Sequence, residues 1–286
     1  MGVVPFIPFM TSLKDLEKLD AELPLSPKMP VLFLGHGSPM NAIEDNEFVR
    51  GFRNIAKSLP KPNAIICVSA HYYTSGTKVT AMKMPKTIHD FGGFPKALYE
   101  VQYPAPGDPA LAQSTKEILQ PTPVELDNSW GLDHGAWSVI KHLYPQANIP
   151  IIQLSLDYYK TPQQHFELAK MLKNLRNKGI LIIGSGNIVH NLGRVDFANM
   201  HKDNYGYDWA IEANQIFHKK LMDNDIAGLV DYEKLGSAFQ LAVPTPDHYL
   251  PFIYSLGLKE KSDKVELFND KLMAGSLSMT SVKFSS

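Results

Sequence analysis

The stretch VLFLGHGSPM, residues 31–40, decides the fold that we predict for this chain. Its first four residues are apolar, as in a strand that is buried on both faces of a sheet. The run ends at His36, which stands between two glycines and is followed by a serine and a proline. Because glycine lets a backbone or a ligand approach closely, this strand end has room for a site around the imidazole.

Strand-like segments of the same kind alternate with helix-like segments along the chain. NAIICVSAH (63–71), IPIIQLSL (149–156) and GILIIGSG (179–186) are short apolar runs, whereas residues 48–59 and 207–223 carry apolar residues at helical spacing. Asp108-Pro109 and Thr161-Pro162 are typical helix starts. This alternation predicts an α/β fold: a single-domain sandwich with a largely parallel or mixed central sheet flanked by helices. We expect the domain to span residues 29–286, after an N-terminal extension of residues 1–28.

Composition restricts the partners of the protein. Lys and Arg number 28 against 29 Asp and Glu in 286 residues, a net charge of −1 that offers no strong field for nucleic acid or an anionic membrane. The single cysteine, Cys67, excludes an internal disulfide and suits a reducing cytoplasm. VVPFIPFM (3–10) is short and broken by prolines, so it resembles neither a signal peptide nor a span. We predict a cytoplasmic protein, monomeric or a small homo-oligomer, that binds neither nucleic acid nor membrane.

Six of the ten histidines lie in marked sequence settings. His36 and His71 each follow a predicted strand. If these strands are neighbours in a parallel sheet, both imidazoles reach the carboxyl edge, where open α/β sheets bind ligands. The other four are His89 in IHDFGGFP, His134 in GLDHGAW, His190 in GSGNIVHNL and His248 in TPDHYLPF. Imidazoles gathered at one edge indicate metal binding or proton transfer.

Common nucleotide and serine-hydrolase motifs are not matched at these positions. The GSG at residues 184–186 lacks a following Gly-Lys-Ser/Thr and does not have dinucleotide-binding spacing. The GHGSP around Ser38 is not the G-x-S-x-G of a nucleophile elbow. The histidines therefore carry the functional prediction.

Taken together, seven motifs resemble one family in their order and context: GHGSPM, SAHYY, HDFGGFP, YPAPGDP, GLDHGAW, GSGNIVHNL and TPDHYLPF. The chain is similar to the class III extradiol ring-cleavage dioxygenases (LigB-like), in the DOPA extradiol dioxygenase branch, from about Met29 to about Leu258. The resemblance implies a non-haem metal enzyme that opens a catechol ring beside its hydroxyl pair and inserts both atoms of O₂. With DOPA the product would be 4,5-seco-DOPA.

The resemblance also implies roles for individual residues. His36, His71 and His248 would bind the metal, with His190 as a fourth ligand or a proton carrier and His134 as the second acid–base histidine. Turnover would need Fe²⁺, because Zn²⁺ is redox-inert, although Zn²⁺ could occupy the purified protein. We expect substrate contacts from the aromatic loop and from the residue after the last ligand, namely His89, Phe91 and Tyr249. Asp133 and Asp247 each precede a histidine, and we expect at least one to fix the tautomer of an imidazole from the side away from the metal. A role as a helix cap or a turn residue is the alternative for each of them.

Two other functions use the same residues. A zinc hydrolase could hold a metal-bound water on these histidines, and would act without oxygen or a catechol. A non-catalytic binding protein of this fold, like the MEMO-type relatives that bind phosphopeptides, would be expected to have lost ligands. The presence of all five motif histidines counts against the second alternative.

Overall fold

The computed structural model describes residues 26–286 as a mixed α/β fold. It contains twelve strands among these residues: β1 Val31–Gly35, β2 Ala64–Ser69, β3 Tyr73–Thr74, β4 Thr77–Thr80, β5 Val124–Asp127, β6 Ile151–Gln153, β7 Leu156–Asp157, β8 Ile180–Gly186, β9 Lys264–Phe268, β10 Leu272–Met273, β11 Leu277–Ser278 and β12 Ser281–Ser285. Six of them form the central sheet in the order β6-β2-β8-β1-β12-β9. The strands predicted from apolar runs are all present.

The central sheet is largely parallel. Strands β6, β2, β8 and β1 pair in parallel, whereas β12 and β9 join in antiparallel pairing beside β1. The predicted fold class is therefore confirmed. One condition in the prediction is not met, because β1 and β2 are not neighbours: β8 lies between them and pairs with both.

Nine α-helices surround the sheet in the described residues: α1 Glu47–Ala56, α2 Lys96–Tyr99, α3 Pro109–Ile118, α4 His134–Leu143, α5 Pro162–Met171, α6 Asp208–Met222, α7 Ile226–Val230, α8 Ser237–Ala242 and α9 Leu250–Leu258. The predicted starts are real helix caps. Asp108 accepts a hydrogen bond from the Leu111 backbone N–H, and Thr161 forms a reciprocal capping box with Gln164. Each bond satisfies a donor that the first helical turn leaves free.

Alternate residues of the central strands face two separate cores. In β1, Val31 and Phe33 pack with residues of α5, α6 and α9 on one side of the sheet. Leu32 and Leu34 pack with residues of α1 and α4 on the other side. Both faces are covered, which explains why these strands read as continuous apolar runs.

The predicted domain boundary lies mostly outside the described residues. Residues 1–25 of the proposed extension are not described, so the division at residue 28 stays a prediction. Lys28 itself lies against the domain, with its Nζ 2.6 Å from a carboxylate oxygen of Glu260. Among the helices of residues 26–286, none combines the length and apolar character needed to cross a membrane.

Candidate metal and acid–base site

Two imidazoles from β1 and β2 meet although β8 separates their strands. His36 follows the last residue of β1, His71 lies two residues beyond β2, and their Nε2 atoms are 3.3 Å apart. Strand β8 ends between them in Gly184, Ser185 and Gly186. These small residues let both histidines and the segment before α9 approach the sheet edge.

The glycines of β8 bring the third histidine to this edge. A side-chain carbon at Gly186 would lie 2.1 Å from the carbonyl oxygen of His248, and one at Gly184 would lie 2.3 Å from that of Pro251. Only glycine permits this approach without a backbone shift. The Asn187 backbone N–H then donates to the His248 carbonyl at 2.9 Å. The GSG motif therefore serves close packing of the His248 segment.

The three histidines fit a divalent transition metal. Nitrogen atoms of His36, His71 and His248 all lie within 4.8 Å of one another. Two imidazole nitrogens bound to one ion at about 2.1 Å would be roughly 3.0–3.4 Å apart, and the His36–His71 separation of 3.3 Å matches this. Three ligands leave further coordination positions open for small molecules.

The other nitrogen of each ligand ring has a polar neighbour. Ser185 Oγ donates its proton to the Gly135 carbonyl at 2.5 Å, so it accepts from His36 Nδ1 at 3.0 Å. His248 Nδ1 contacts the carboxylate of Asp247. His71 Nδ1 lies 3.4 Å from Asp90 Oδ2. With a proton on each Nδ1, the Nε2 lone pairs are free for a metal.

Burial favours the uncharged form of His36, His71 and His190. It lowers the pKa of His36 and of His71 well below the usual value, and the neighbouring histidines lower both further. The pKa of His190 falls to about 3, first through burial and then through repulsion by His248. Because a metal binds the neutral imidazole, protons compete little with an ion for His36 and His71 at neutral pH.

Asp90 and His134 form a tight pair beside the metal cluster. The carboxylate accepts from the His134 backbone N–H at 2.8 Å and from the ring Nδ1 at 2.9 Å. Burial raises the pKa of Asp90, but the hydrogen bonds and charge of His134 outweigh it, so the pKa is lowered overall. Sequence reasoning missed Asp90, although it lies inside the HDFGGFP motif and offers a carboxylate next to two aromatic residues.

His190 lies against His248, the last of the three proposed metal ligands along the chain. Its ring stacks on that of His248 with centroids 3.5 Å apart and planes within 7° of parallel. His36, His71 and His248 each place a nitrogen atom within 4.8 Å of the other two, and His190 is not part of this group. Whether His190 is a ligand or a proton carrier stays a prediction.

The three residues expected to contact substrate lie in different surroundings. Phe91 is close to the site, with its ring centroid 5.5 Å from that of His134. The ring Nε2 of His89 bonds the Val101 carbonyl at 3.0 Å. Tyr249 is fully buried and donates its hydroxyl to the Leu229 carbonyl at 3.0 Å. This position gives Tyr249 a packing role, which differs from the predicted substrate contact.

The two aspartates that precede histidines also differ. Asp247 lies behind an imidazole, as the sequence suggests. Asp133 instead begins α4, where it accepts from the Ala136 backbone N–H, from Ser69 Oγ and from Gln153 Nε2 at 2.7–3.0 Å. Burial raises the pKa of its carboxyl. Asp133 therefore caps the helix that carries His134 and ties it to the ends of β2 and β6.

Three histidines with the spacing of metal ligands lie beside an Asp–His pair at the carboxyl edge of an α/β sheet. This arrangement is typical of a metal-dependent enzyme. Residues 29–285 match the family model described as the catalytic LigB subunit of aromatic ring-opening dioxygenase. The chain belongs to this family, and the predicted family is confirmed.

Relatives of known name support the assignment. The chain is 47% identical over 265 residues to the 4,5-DOPA dioxygenase extradiol of Escherichia coli K12, covering 90% of this chain and 95% of the relative. It is 34% identical to the protein of the same name from Beta vulgaris, covering 89% and 96%. A crystal structure of an uncharacterized protein from Escherichia coli K12 superposes with a TM-score of 0.78 at 42% identity, covering 90% of this chain and all of that one.

Proposed function

We propose that this enzyme opens the ring of DOPA, or of a closely related small catechol, next to its hydroxyl pair with O₂ as co-substrate. The observation that carries the proposal is the three-imidazole cluster beside the Asp90–His134 pair. It occurs in a chain that is 47% identical to a relative named for DOPA cleavage. Family membership favours this activity over a zinc hydrolase or a non-catalytic binding protein.

His36, His71 and His248 would hold the metal, and we propose Fe²⁺. When bound, a redox-active ion supplies the electron exchange between catechol and dioxygen that side chains cannot provide and Zn²⁺ does not. The protein contributes three neutral donors, and their Nδ1 neighbours Ser185, Asp90 and Asp247 keep the ligand nitrogens aimed at one point.

His134 is suited to take the phenolic proton of the catechol. Its Nδ1 is bonded to Asp90, which leaves the lone pair on Nε2. His190, stacked on His248, lies beside the cluster and is suited to donate a hydrogen bond to a substrate oxygen. Two imidazoles of different environment would thus share the proton transfers.

Aromatic side chains next to His134 would shield the ring of a bound substrate from water. Phe91 packs within 5.2–5.5 Å of Phe94, Tyr99 and His134 between ring centroids. Phe91 and Phe94 come from the loop that also carries Asp90, and Tyr99 is the last residue of α2, which follows that loop. Apolar walls at this point suit a planar aromatic substrate and exclude water from reactive species. The cytoplasmic location and the small oligomeric state stay predictions.

Oxygen uptake by the protein reconstituted with Fe²⁺ under anaerobic conditions tests the proposal. DOPA should cause uptake in step with the yellow colour of a ring-opened product. His71→Ala should abolish both, whereas His218→Ala, a matched change at a partly exposed histidine paired with Asp270, should retain them. A panel with catechol, dopamine and 3,4-dihydroxyphenylpropionate would define the preferred side chain. No ring cleavage of any of these compounds by iron-loaded protein would contradict the proposal.

A further inference from the structure

We propose that Asp90 is a positioning residue that fixes the tautomer of His134, so that Nε2 of His134 always presents its lone pair to the substrate. This inference rests on the proposed function for its catalytic consequence. The tautomer itself is a property of the folded chain and can be measured without turnover.

The hydrogen bonds of Asp90 allow only one arrangement of protons. An ionised carboxylate is an acceptor and has no proton to donate. Asp90 Oδ1 accepts from the His134 backbone N–H at 2.8 Å, and Oδ2 lies 2.9 Å from the His134 ring Nδ1. Nδ1 must therefore carry the proton, which leaves Nε2 of a neutral His134 without one.

The backbone just before Asp90 is hydrogen-bonded to α4 and to the segment that leads into it. The Ile88 backbone N–H donates to the Leu132 carbonyl, and the Leu132 N–H donates to the Lys86 carbonyl, both at 2.7 Å. The indole Nε1 of Trp137 in α4 donates to the Ile88 carbonyl at 2.8 Å. The carboxylate and the imidazole are thus fixed relative to each other through the backbone that precedes each of them, and little rearrangement is needed during a reaction.

The proton step balances within this pair. The catechol O–H bond breaks, its proton forms an N–H bond at His134 Nε2, and the electron pair stays on the catechol oxygen. The resulting imidazolium faces the Asp90 carboxylate, whose opposite charge stabilises it. The same oxygen, Oδ2, lies 3.4 Å from Nδ1 of the ligand His71. One carboxylate therefore orients both the proposed base and one metal ligand.

The same side chains could in principle hold a second cation, because His71, Asp90 and His134 also place ligand atoms within 4.8 Å of one another. The hydrogen bonds favour shared protons instead. Both carboxylate oxygens already accept N–H groups from His134, and a metal would have to displace the ring contact.

The direct test is the tautomer of His134 in ¹⁵N-labelled, zinc-loaded protein, read from long-range ¹⁵N–¹H correlation spectra. Signals are assigned by their loss in His134→Gln. The unchanged chain should show the Nδ1–H form. Asp90→Asn should convert His134 to the Nε2–H form, because an amide N–H donates to Nδ1 where the carboxylate accepted. An Nε2–H form in the unchanged chain, or an unchanged tautomer in folded Asp90→Asn, would overturn the inference.

Kinetics of the iron-loaded enzyme provide the second readout. Replacing Asp by Asn behind a catalytic histidine lowers kcat by about 10⁴ in a serine protease. We expect Asp90→Asn to lower kcat by roughly 10²–10⁴ with KM changed less than about threefold, and Asp90→Glu to recover part of the loss. Asp270→Asn is the matched control, since Asp270 pairs with His218 outside the cluster at 2.9 Å. It should leave kcat unchanged.

Counting the metal ions bound per chain distinguishes this inference from the remaining alternative, a second cation site at Asp90. One metal ion per chain in both the unchanged protein and Asp90→Asn supports the inference. Two ions per chain, with one lost in Asp90→Asn, would overturn it in favour of a second cation site. If the unchanged enzyme cleaves no catechol, the proposed function fails, whereas the tautomer measurement still decides the role of Asp90.

Discussion

Replacing Ser185 by alanine should weaken metal binding without removing a metal ligand. The hydroxyl lies between two buried groups, accepting from His36 Nδ1 at 3.0 Å and donating to the Gly135 carbonyl at 2.5 Å. Ser185→Ala leaves both without a partner, at about 1–3 kcal/mol each. We therefore expect the free energy of unfolding to fall by about 2–6 kcal/mol.

The effect on the metal follows from the tautomer of His36. Without Ser185, either nitrogen of the ring can carry the proton, and the ring can turn. Loss of such an outer partner typically weakens metal affinity about 10–100-fold, equivalent to about 1.4–2.7 kcal/mol. Competition for Zn²⁺ between the apoprotein and a chelating dye measures the affinity, and urea denaturation measures the stability.

Ser255→Ala is the matched control for this change. Ser255 is also a buried serine, and its hydroxyl faces the carbonyls of Leu32 and Pro251 at 3.1 and 3.2 Å. Its removal should lower stability by about 1 kcal/mol with Zn²⁺ affinity unchanged. Wild-type affinity in Ser185→Ala, or an equal loss in Ser255→Ala, would refute the reasoning.

Two further predictions concern stability. His165 is buried, and desolvation is the main cause that lowers its pKa to about 4. An unfolded histidine has a pKa near 6.5, so between pH 6.5 and 4 only the unfolded chain gains this proton. The free energy of unfolding should therefore drop by roughly 3 kcal/mol over this range. Denaturation curves of His165→Gln should lose this part of the pH dependence, and an unchanged slope would contradict it. Arg176 forms a buried bidentate pair with Asp263 at 2.7 and 3.0 Å, so Arg176→Met should cost about 3–5 kcal/mol. Adding Asp263→Leu should recover part of that loss in the same assay, and no recovery would argue against an unpaired charge as its cause.

The sequence predicted which residues reach the sheet edge better than it predicted how they meet. His36 and His71 were predicted to lie there because each follows a predicted strand, and they do converge. The order of strands, however, depends on long-range pairing, and β8 lies between β1 and β2. The meeting of the two rings depends on the small residues that end β8, whose role in close packing was not predicted from the sequence.

Of the two aspartates that precede histidines, Asp247 contacts the next imidazole, whereas Asp133 is the helix cap that the sequence allowed as the alternative. Asp247 touches the ring of His248 because the pair lies in a turn before α9. Asp133 precedes His134 at a helix start, where its carboxylate accepts a hydrogen bond from the Ala136 backbone N–H of the first turn. The ring of His134 is held instead by Asp90, 44 residues earlier in the chain. Such a contact depends on the path of an irregular loop, which has no periodicity to read.

The position of β12 has a consequence for the order in which the protein can be assembled during synthesis. Strand β1, which leads directly into His36, pairs with β12 across Val31–Phe284 and Phe33–Val282. A nascent chain that has passed His36 and His71 still lacks both the ligand His248 and one neighbour of the strand that presents His36. The set of three ligands is therefore complete only after residue 248 has been added, and the sheet beside β1 is complete only after residue 285. Until then, the open edge of β1 is a surface that chaperones would have to cover.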